Sequence, residues 1–112
     1  MNLEQSKEGK VLVVRVRESR LDAHLAPDLK QQLGAMIEGG DNCLVLDLQD
    51  VEFVDSSGLS AIVSTMKLLD GRGGIVLCQP QPAVTSLFKL TRLDKIFRIY
   101  PDSTGAVAAV AG

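Results

Sequence analysis

An apolar strand that leads through a serine-bearing turn into an amphipathic helix is the feature that most restricts the fold of this chain. Residues 43–48 are almost continuously apolar, which predicts a strand buried on both faces. A second short apolar stretch, Phe53-Val54, precedes the tetrapeptide Asp-Ser-Ser-Gly at residues 55–58. Residues 59–69 then have helical periodicity. This order predicts a strand-to-helix turn in a fold where helices cover a sheet.

The remaining segments continue the alternation of strands and helices. Residues 10–16 are rich in β-branched side chains, as is typical of a strand, and residues 3–6 suggest a weak edge strand before them. Large apolar side chains at helical spacing predict a helix from Leu25 to Ile37, with Pro27 in its first turn and Gly39-Gly40 at its end. Further strands are predicted at residues 75–78 and 96–100, and further helices at residues 84–91 and from residue 103.

These elements predict an α/β fold with parallel pairing through right-handed crossovers. The 112 residues are enough for one domain and too few for two ordinary ones, and the 46% hydrophobic content favours a well-filled core. No apolar run is long enough to cross a membrane, and the first residues lack the basic flank and apolar stretch of a signal peptide. We therefore expect a cytoplasmic location.

Cys43 and Cys78 are the only cysteines, and each lies in a predicted strand among leucine and valine. Two buried small hydrophobic side chains are the simplest interpretation. A disulfide or a metal site has little support, because the chain has no C-x-x-C motif and His24 is its only histidine. We expect no metal and no resident cofactor.

Charge is unevenly distributed along the chain, although the net charge is only −2. Residues 1–56 contain 6 basic and 11 acidic side chains, whereas residues 57–112 contain 6 basic and 3 acidic ones. The chain has no basic stripe with interleaved aromatic side chains, and this argues against binding to nucleic acid.

The turn at residues 55–58 combines a carboxylate, two hydroxyls and the start of a helix. The backbone N–H groups in the first turn of a helix lack intrahelical acceptors and the macrodipole is positive there, so an oxyanion or phosphate is favoured. Ser56 and Ser57 are therefore either capping residues or, for Ser56, a candidate for phosphorylation. Asp55 has two compatible interpretations, a turn residue that bonds its own backbone and a carboxylate that orients the Ser56 hydroxyl, and Gly58 indicates room for close backbone approach.

Enzymatic chemistry finds little support in the residue pattern. A serine hydrolase would need a G-x-S-x-G elbow and a histidine base, but the chain lacks the motif and has one histidine. The glycine-rich residues 71–74 lack the Lys-Ser/Thr of a P-loop. We predict no catalytic residue. A nucleotide or small-ligand-sensing module stays open, because the helix start at Ser56 could receive a phosphate non-covalently.

Three segments, in order and without large gaps, resemble the STAS-domain anti-sigma factor antagonist (anti-anti-sigma factor) family. Residues 20–29 (RLDAHLAPDL) are similar to the family's entry into its first helix, and residues 51–59 (VEFVDSSGL) closely resemble its signature loop. Residues 73–75 and 82–88 resemble its later strand and third helix. The resemblance implies a single STAS domain over residues 1–112, with a mixed, mostly parallel β-sheet of four to five strands and about four α-helices.

The resemblance also implies a regulatory protein that is a substrate and not a catalyst. In such partner switching, the unphosphorylated antagonist binds an anti-sigma factor, typically a serine protein kinase of the histidine-kinase-like ATPase type, and the sigma factor is released. The kinase phosphorylates the serine after the signature aspartate, which is Ser56 here, and a PP2C-type serine phosphatase reverses this. The implied partner-binding residues are Asp22, Asp55, Ser56, Ser57, Gly58 and Leu59. A monomer with no nucleic-acid or membrane partner is expected.

A phosphate on Ser56 would add negative charge beside Asp55, and near Asp22 if the two loops share one end of the sheet. Like charges at an interface weaken binding, and a ~100-fold loss of affinity needs only ~2.7 kcal/mol. The helix N-terminus offsets part of the cost within the protein. We therefore predict a local switch without refolding.

Two departures from the family pattern lie at the edge of the expected interface. Leu25 stands where the family often has Ser or Thr, so the first helix would lose a cap worth ~1 kcal/mol unless Asp22 or His24 substitutes. Glu18-Ser19-Arg20 replaces a glycine-bearing turn. A phosphorylation-independent STAS interaction module is the competing function, and replacement of Ser56 by Asp would distinguish it from the switch.

Overall fold

Four α-helices pack on a five-stranded sheet in the computed structural model, which describes residues 1–111. The strands are β1 (Leu3–Glu8), β2 (Val11–Val16), β3 (Arg20–Leu21), β4 (Cys43–Asp47), β5 (Phe53–Val54), β6 (Gly74–Cys78) and β7 (Ile99–Tyr100). The helices are α1 (Ala26–Glu38), α2 (Ser56–Leu69), α3 (Pro82–Leu90) and α4 (Ser103–Ala111), with a short 3₁₀ turn at Leu93–Lys95.

The main sheet has the order β1-β2-β4-β6-β7. Only β1 is antiparallel to its neighbour, and the other three pairs are parallel. The predicted α/β class, the mixed and mostly parallel sheet and the helix number are therefore confirmed. The weak edge strand predicted from residues 3–6 extends to Glu8, and Gly9 makes the turn into β2 at φ +63°.

Alternate side chains of the buried strands enter two hydrophobic clusters on opposite faces of the sheet. The larger cluster lies under α1, α2 and α3 and includes Leu44 and Leu46 from β4. The smaller cluster lies under α4 and includes Cys43 and Val45 from the same strand. All five residues of β4 are buried, as expected for a strand covered on both faces.

Both cysteines are buried and free, as predicted. Burial raises the pKa of the Cys78 thiol to about 12, and the nearby Asp47 carboxylate acts in the same direction. The thiol is therefore neutral at physiological pH and serves as a small apolar side chain. No helix among residues 1–111 has the length and apolar character that a membrane span requires.

Two parts of the chain differ from the sequence-based expectation. The strand predicted over residues 96–100 is reduced to Ile99–Tyr100. Before it, Phe97 turns into the core and packs edge-on against Phe88, with 6.2 Å between the ring centroids. Burying this large ring stabilises the fold more than three further residues of edge strand would. The second difference is a separate two-stranded sheet, in which β3 pairs with β5.

Candidate functional site

The pairing of β3 with β5 brings two distant loops together. The strands are parallel, with Arg20 opposite Phe53 and Leu21 opposite Val54. Because parallel strands end at the same edge, the loop that begins at Asp22 lies beside the start of α2. The backbone N–H of Asp55 also donates to the Leu21 carbonyl, at 3.2 Å.

The Asp55 carboxylate holds this junction. Asp55 is the N-cap of α2 in extended backbone conformation, and its Oδ1 accepts a hydrogen bond from the Gly58 N–H at 3.0 Å. Its Oδ2 accepts from the Ala23 N–H at 3.2 Å, which ties the neighbouring loop to the helix start. The cap is therefore supplied one residue before the serines. The interpretation of Ser56 and Ser57 as the capping residues is wrong, because the helix begins at Ser56 itself.

Gly58 is enclosed by the two strands beneath the helix start. A Cβ at this position would overlap the Leu21 carbonyl oxygen and lie 2.9 Å from Cγ1 of Val54. This confirms the close backbone approach predicted from the sequence. Leu59, the next residue, is only 8% exposed and belongs to the core. Gly58 and Leu59 therefore lie below the candidate partner surface and support it.

Ser56 is exposed and Ser57 is half-buried at the mouth of a groove between α1 and α2. The groove has a volume of about 420 Å³. Three hydroxyls from α2 line it at a spacing of four residues, Ser56, Ser60 and Ser64. Lys30 of α1 lines the same groove and makes no ion pair with any residue in the range 1–111.

Sequence reasoning missed Lys30, Ser60 and Ser64. The spacing of the serines was visible in the sequence, because residues four apart on a helix share a face. The contribution of Lys30 was not visible, since it depends on how α1 packs against α2.

Asp22 supports the start of α1 mainly through its backbone. The N-cap position of α1 is Leu25, which has no side-chain cap. The Asp22 carbonyl instead accepts from the N–H groups of Leu25 and Ala26, at 3.1 and 2.8 Å. The next residue, Pro27, has no N–H to satisfy. Asp22 and His24 were the two residues expected to replace the missing side-chain cap of α1, and Asp22 is the one that bonds to the helix start.

The Asp22 carboxylate completes the same turn. Its Oδ1 accepts from the His24 N–H at 3.0 Å. Partial burial acts to raise the pKa of the Asp22 carboxyl, but hydrogen bonds from the His24 and Leu25 N–H groups outweigh it. Arg20 lowers the pKa further, so the pKa of Asp22 lies below its ordinary value. The side chain is an anion at neutral pH.

An aromatic–cation pair flanks this turn and was not anticipated. The guanidinium carbon of Arg20 lies 4.4 Å from the ring centroid of Phe53, a distance typical of a cation–π contact. Phe53 is 43% exposed, and Nε of Arg20 lies 3.5 Å from Oδ2 of Asp22. The contact depends on the pairing register of β3 and β5. Strands of two residues are too short for the sequence to reveal that register.

The electrostatic character of the site follows from these groups. Asp22 and Asp55 are two carboxylates on adjoining turns, joined through Ala23. Beside them, α2 presents its positive N-terminal end and an exposed hydroxyl. Within residues 1–111, no group of three or more His, Cys, Asp or Glu side chains is arranged to hold a metal ion.

Comparisons with known proteins agree with this architecture. The STAS domain family model matches residues 2–106. The anti-sigma F factor antagonist of Paenibacillus polymyxa is 31% identical over 109 residues, which cover 96% of this chain and 92% of that protein. The anti-sigma-B factor antagonist of Bacillus subtilis is 34% identical over 88 residues, 78% of this chain and 80% of that one. The crystal structure of an anti-sigma factor antagonist from Mycobacterium paratuberculosis superposes with a TM-score of 0.90 at 33% identity, covering 99% of this chain and 94% of the other. The chain belongs to the STAS domain family.

Proposed function

We propose that this protein is an anti-sigma factor antagonist whose binding is switched by phosphorylation of Ser56. One observation carries the proposal: Ser56 is an exposed first residue of α2, directly after the Asp55 carboxylate that joins two loops at one end of the fold. The similarity to proteins described as anti-sigma factor antagonists supplies the class of partner. In this proposal the protein is a regulatory substrate and no catalyst.

The unphosphorylated protein binds an anti-sigma factor that is also a serine kinase of the histidine-kinase-like ATPase type, and the sigma factor is thereby released. The surface for this partner consists of Asp22, Asp55, Ser56 and Ser57, with Gly58 and Leu59 supporting it from below. Lys30 and the groove between α1 and α2 extend that surface.

The kinase transfers the γ-phosphoryl group of ATP to Oγ of Ser56, and ADP leaves. A PP2C-type serine phosphatase returns the hydroxyl by hydrolysis. The phosphate adds between −1.5 and −2 of charge, roughly, next to the Asp55 and Asp22 carboxylates. A partner surface that fits a neutral hydroxyl then meets repulsion and steric conflict, which weakens binding.

Within the protein itself, the added charge is well tolerated. Ser56 is the first residue of α2, and anions are stabilised at a helix N-terminus by about 0.3–1 kcal/mol. Repulsion from Asp55 acts in the opposite direction, and exposed Lys30 lies on the same groove. The two effects largely cancel, so the switch acts on the interface and leaves the fold unchanged.

The direct test is incubation with ATP, Mg²⁺ and a serine kinase of this type from the same genome, followed by intact mass measurement and peptide mapping. We expect one added phosphate on Ser56, and its absence in Ser56→Ala. Ser86→Ala is the matched control, because Ser86 is an exposed helical serine on α3, outside the groove and the proposed partner surface, and its loss should leave the modification unchanged. Modification at another residue would contradict the assignment.

A binding measurement separates the switch from a constitutive module. We expect the Ser56→Asp variant to bind the anti-sigma factor ~100-fold more weakly than the unphosphorylated protein does, a difference equivalent to ~2.7 kcal/mol. Ser86→Asp is the matched control, since Ser86 is an exposed helical serine on α3. If both variants bind like the unmodified protein, the domain acts as a phosphorylation-independent interaction module.

A further inference from the structure

A second groove lies between α3 and the edge strand β7, away from Ser56. It has a volume of about 450 Å³. Thr85 and Lys89 of α3 form one wall, and Arg98, Ile99 and Tyr100 form the other. Phe97 and Asp94 complete the lining. None of these residues lines the groove between α1 and α2, so the two surfaces can be occupied independently.

The segment around this groove is strongly basic. Residues 89–98 contain four exposed cations and a single acidic side chain, the half-buried Asp94. None of the four cations forms an ion pair with any other part of the described chain. The basic side chains within β1, β2 and β3 are different, because Lys7, Arg15 and Arg20 all have carboxylate partners. The four unpaired cations are Lys89, Arg92, Lys95 and Arg98.

The same segment also has two unusually exposed apolar side chains. Leu90 is 82% exposed and Ile96 is 54% exposed, the two highest values among the large apolar side chains of residues 1–111. Each stands next to a cation, Lys89 and Lys95 respectively. Unpaired cations combined with exposed aliphatic side chains fit a partner that offers both carboxylates and apolar groups.

The backbone of β7 supplies a further point of attachment. The carbonyls of Arg98 and Tyr100 accept hydrogen bonds from the N–H groups of Leu77 in β6 and of Gln79 just after it, each at 3.0 Å. Alternate residues of a parallel strand bond to opposite sides, so the N–H and C=O of Ile99 point away from the sheet. β7 ends the strand order, and its outer edge borders the groove. An extended peptide can add to such an edge.

We infer that the groove between α3 and β7 binds an extended acidic segment of a partner protein, in which carboxylates alternate with aliphatic side chains. The segment would lie along β7 and bond to the Ile99 backbone. Its carboxylates would reach Lys89 and Arg98 on opposite walls, while its aliphatic side chains face Ile99 and the recessed ring of Phe97. The concave, shaped lining favours a peptide over a flat lipid surface. This inference does not depend on phosphorylation of Ser56.

The test uses the full chain and a short fluorescein-labelled peptide in which aspartate and valine alternate. Fluorescence anisotropy at an ionic strength of about 0.15 M, where exposed charges more than ~8 Å apart are largely screened, gives the affinity, and amide NMR shifts give the location. We expect shifts to concentrate at residues 85–100. The double variant Lys89→Glu with Arg98→Glu should raise the Kd by at least about tenfold. A peptide N-methylated at alternate positions should also bind at least about tenfold more weakly, because it cannot pair with the strand edge.

The matched control reverses the same number of charges elsewhere. Lys67 and Lys89 are exposed lysines in the last turns of α2 and α3, and Arg72, like Arg98, is an exposed arginine without an ion pair in residues 1–111. Lys67→Glu with Arg72→Glu should change the Kd less than about twofold. Equal weakening by both double variants, shifts spread over the whole surface, or no binding would overturn the inference. Binding of phosphatidylglycerol vesicles through residues 89–98, without binding of the peptide, would also overturn it and indicate a membrane surface instead.

Discussion

The two helices that meet at the candidate site begin in different ways. At α1, the donors of the first turn bond to the backbone carbonyl of Asp22, and the N-cap residue Leu25 contributes no side-chain bond. At α2, the Asp55 side chain caps the helix and bonds to Ala23 as well. The start of α1 is therefore held by the main chain, whereas the start of α2 depends on one carboxylate.

This difference indicates how a site can respond to charge without loss of the fold. In the proposed switch, a phosphate on Ser56 would add its charge next to the side-chain junction made by Asp55. The backbone turn at Asp22 and the packing of α1 are not part of that junction, so they provide a fixed frame. The proposed switch would therefore alter the surface at α2 while α1 and its backbone turn stay in place.

The largest expected effect on stability comes from replacing a glycine in each of the two helices by alanine. Gly58→Ala would place a Cβ against the Leu21 carbonyl and Val54, and we expect the free energy of unfolding to fall by about 1–3 kcal/mol. Gly34 in α1 is the matched control, because a Cβ there meets only Cδ2 of Leu68 at an ordinary 3.5 Å. Gly34→Ala should stabilise the protein by about 0.5–1 kcal/mol, since alanine is the better helix former.

Urea denaturation of both variants measures this contrast. Opposite signs for the two substitutions would support the enclosed packing at the start of α2. A stabilising effect of Gly58→Ala would show that the helix start can move away from β3 and β5, which would contradict the close approach.

The second effect compares the two aspartates directly. Asp55→Ala removes the cap of α2 and the bond to Ala23, and should lower the free energy of unfolding by about 1–2 kcal/mol. Asp22→Ala retains the carbonyl that holds α1 and loses only the side-chain bond to His24, so it should lower the free energy of unfolding clearly less than Asp55→Ala does. Thermal and urea unfolding of the two variants provide the measurement. Equal costs would mean that both helix starts depend on side chains.

The sequence predicted the order of strands and helices because each long element has its own hydrophobic period. It also predicted Ser56 at a strand-to-helix turn and the close approach at Gly58, since glycine and apolar neighbours mark such positions. It left open which residue caps α2, because Asp, Ser and Ser are all good capping residues in consecutive positions. Only the start of the helix at Ser56 decides between them. Of the two roles considered for Asp55, the bond to its own backbone is the one that the structure shows.

Two other features depended on long-range packing. The pairing of β3 with β5 involves only two residues from each strand, too few for a periodic pattern, and yet it brings Asp22 to Asp55. Lys30 reaches the serine groove because α1 lies against α2. Local sequence patterns carry no information on such contacts, so these parts of the site require a structure.

The third effect concerns negative charge added to an exposed serine, at the start of α2 or on α3. Ser56→Glu mimics part of the phosphate charge and should change the free energy of unfolding by less than about 0.5 kcal/mol, because attraction to the helix N-terminus offsets repulsion from Asp55. Urea denaturation gives the value, and amide NMR shifts should be limited to the neighbourhood of residues 22–26 and 55–60. Ser86→Glu on α3 is the control for an exposed helical serine. Shifts throughout the sheet would contradict a local switch.

The smallest effect is on the pH dependence of stability, through Asp22 at the start of α1. The pKa of Asp22 is lowered from its ordinary value of 3.8, so the charged carboxylate favours the folded state. Its contribution is complete above that ordinary value and disappears as the pH falls through the lower, folded-state pKa. Asp22→Asn removes the titration while keeping a side-chain oxygen for the His24 N–H. The stability difference between the protein and this variant should therefore shrink as the pH is lowered below about 4, which urea denaturation across pH measures. A difference that is constant with pH would mean that the charge of Asp22 contributes nothing, and that the backbone carbonyl alone holds α1.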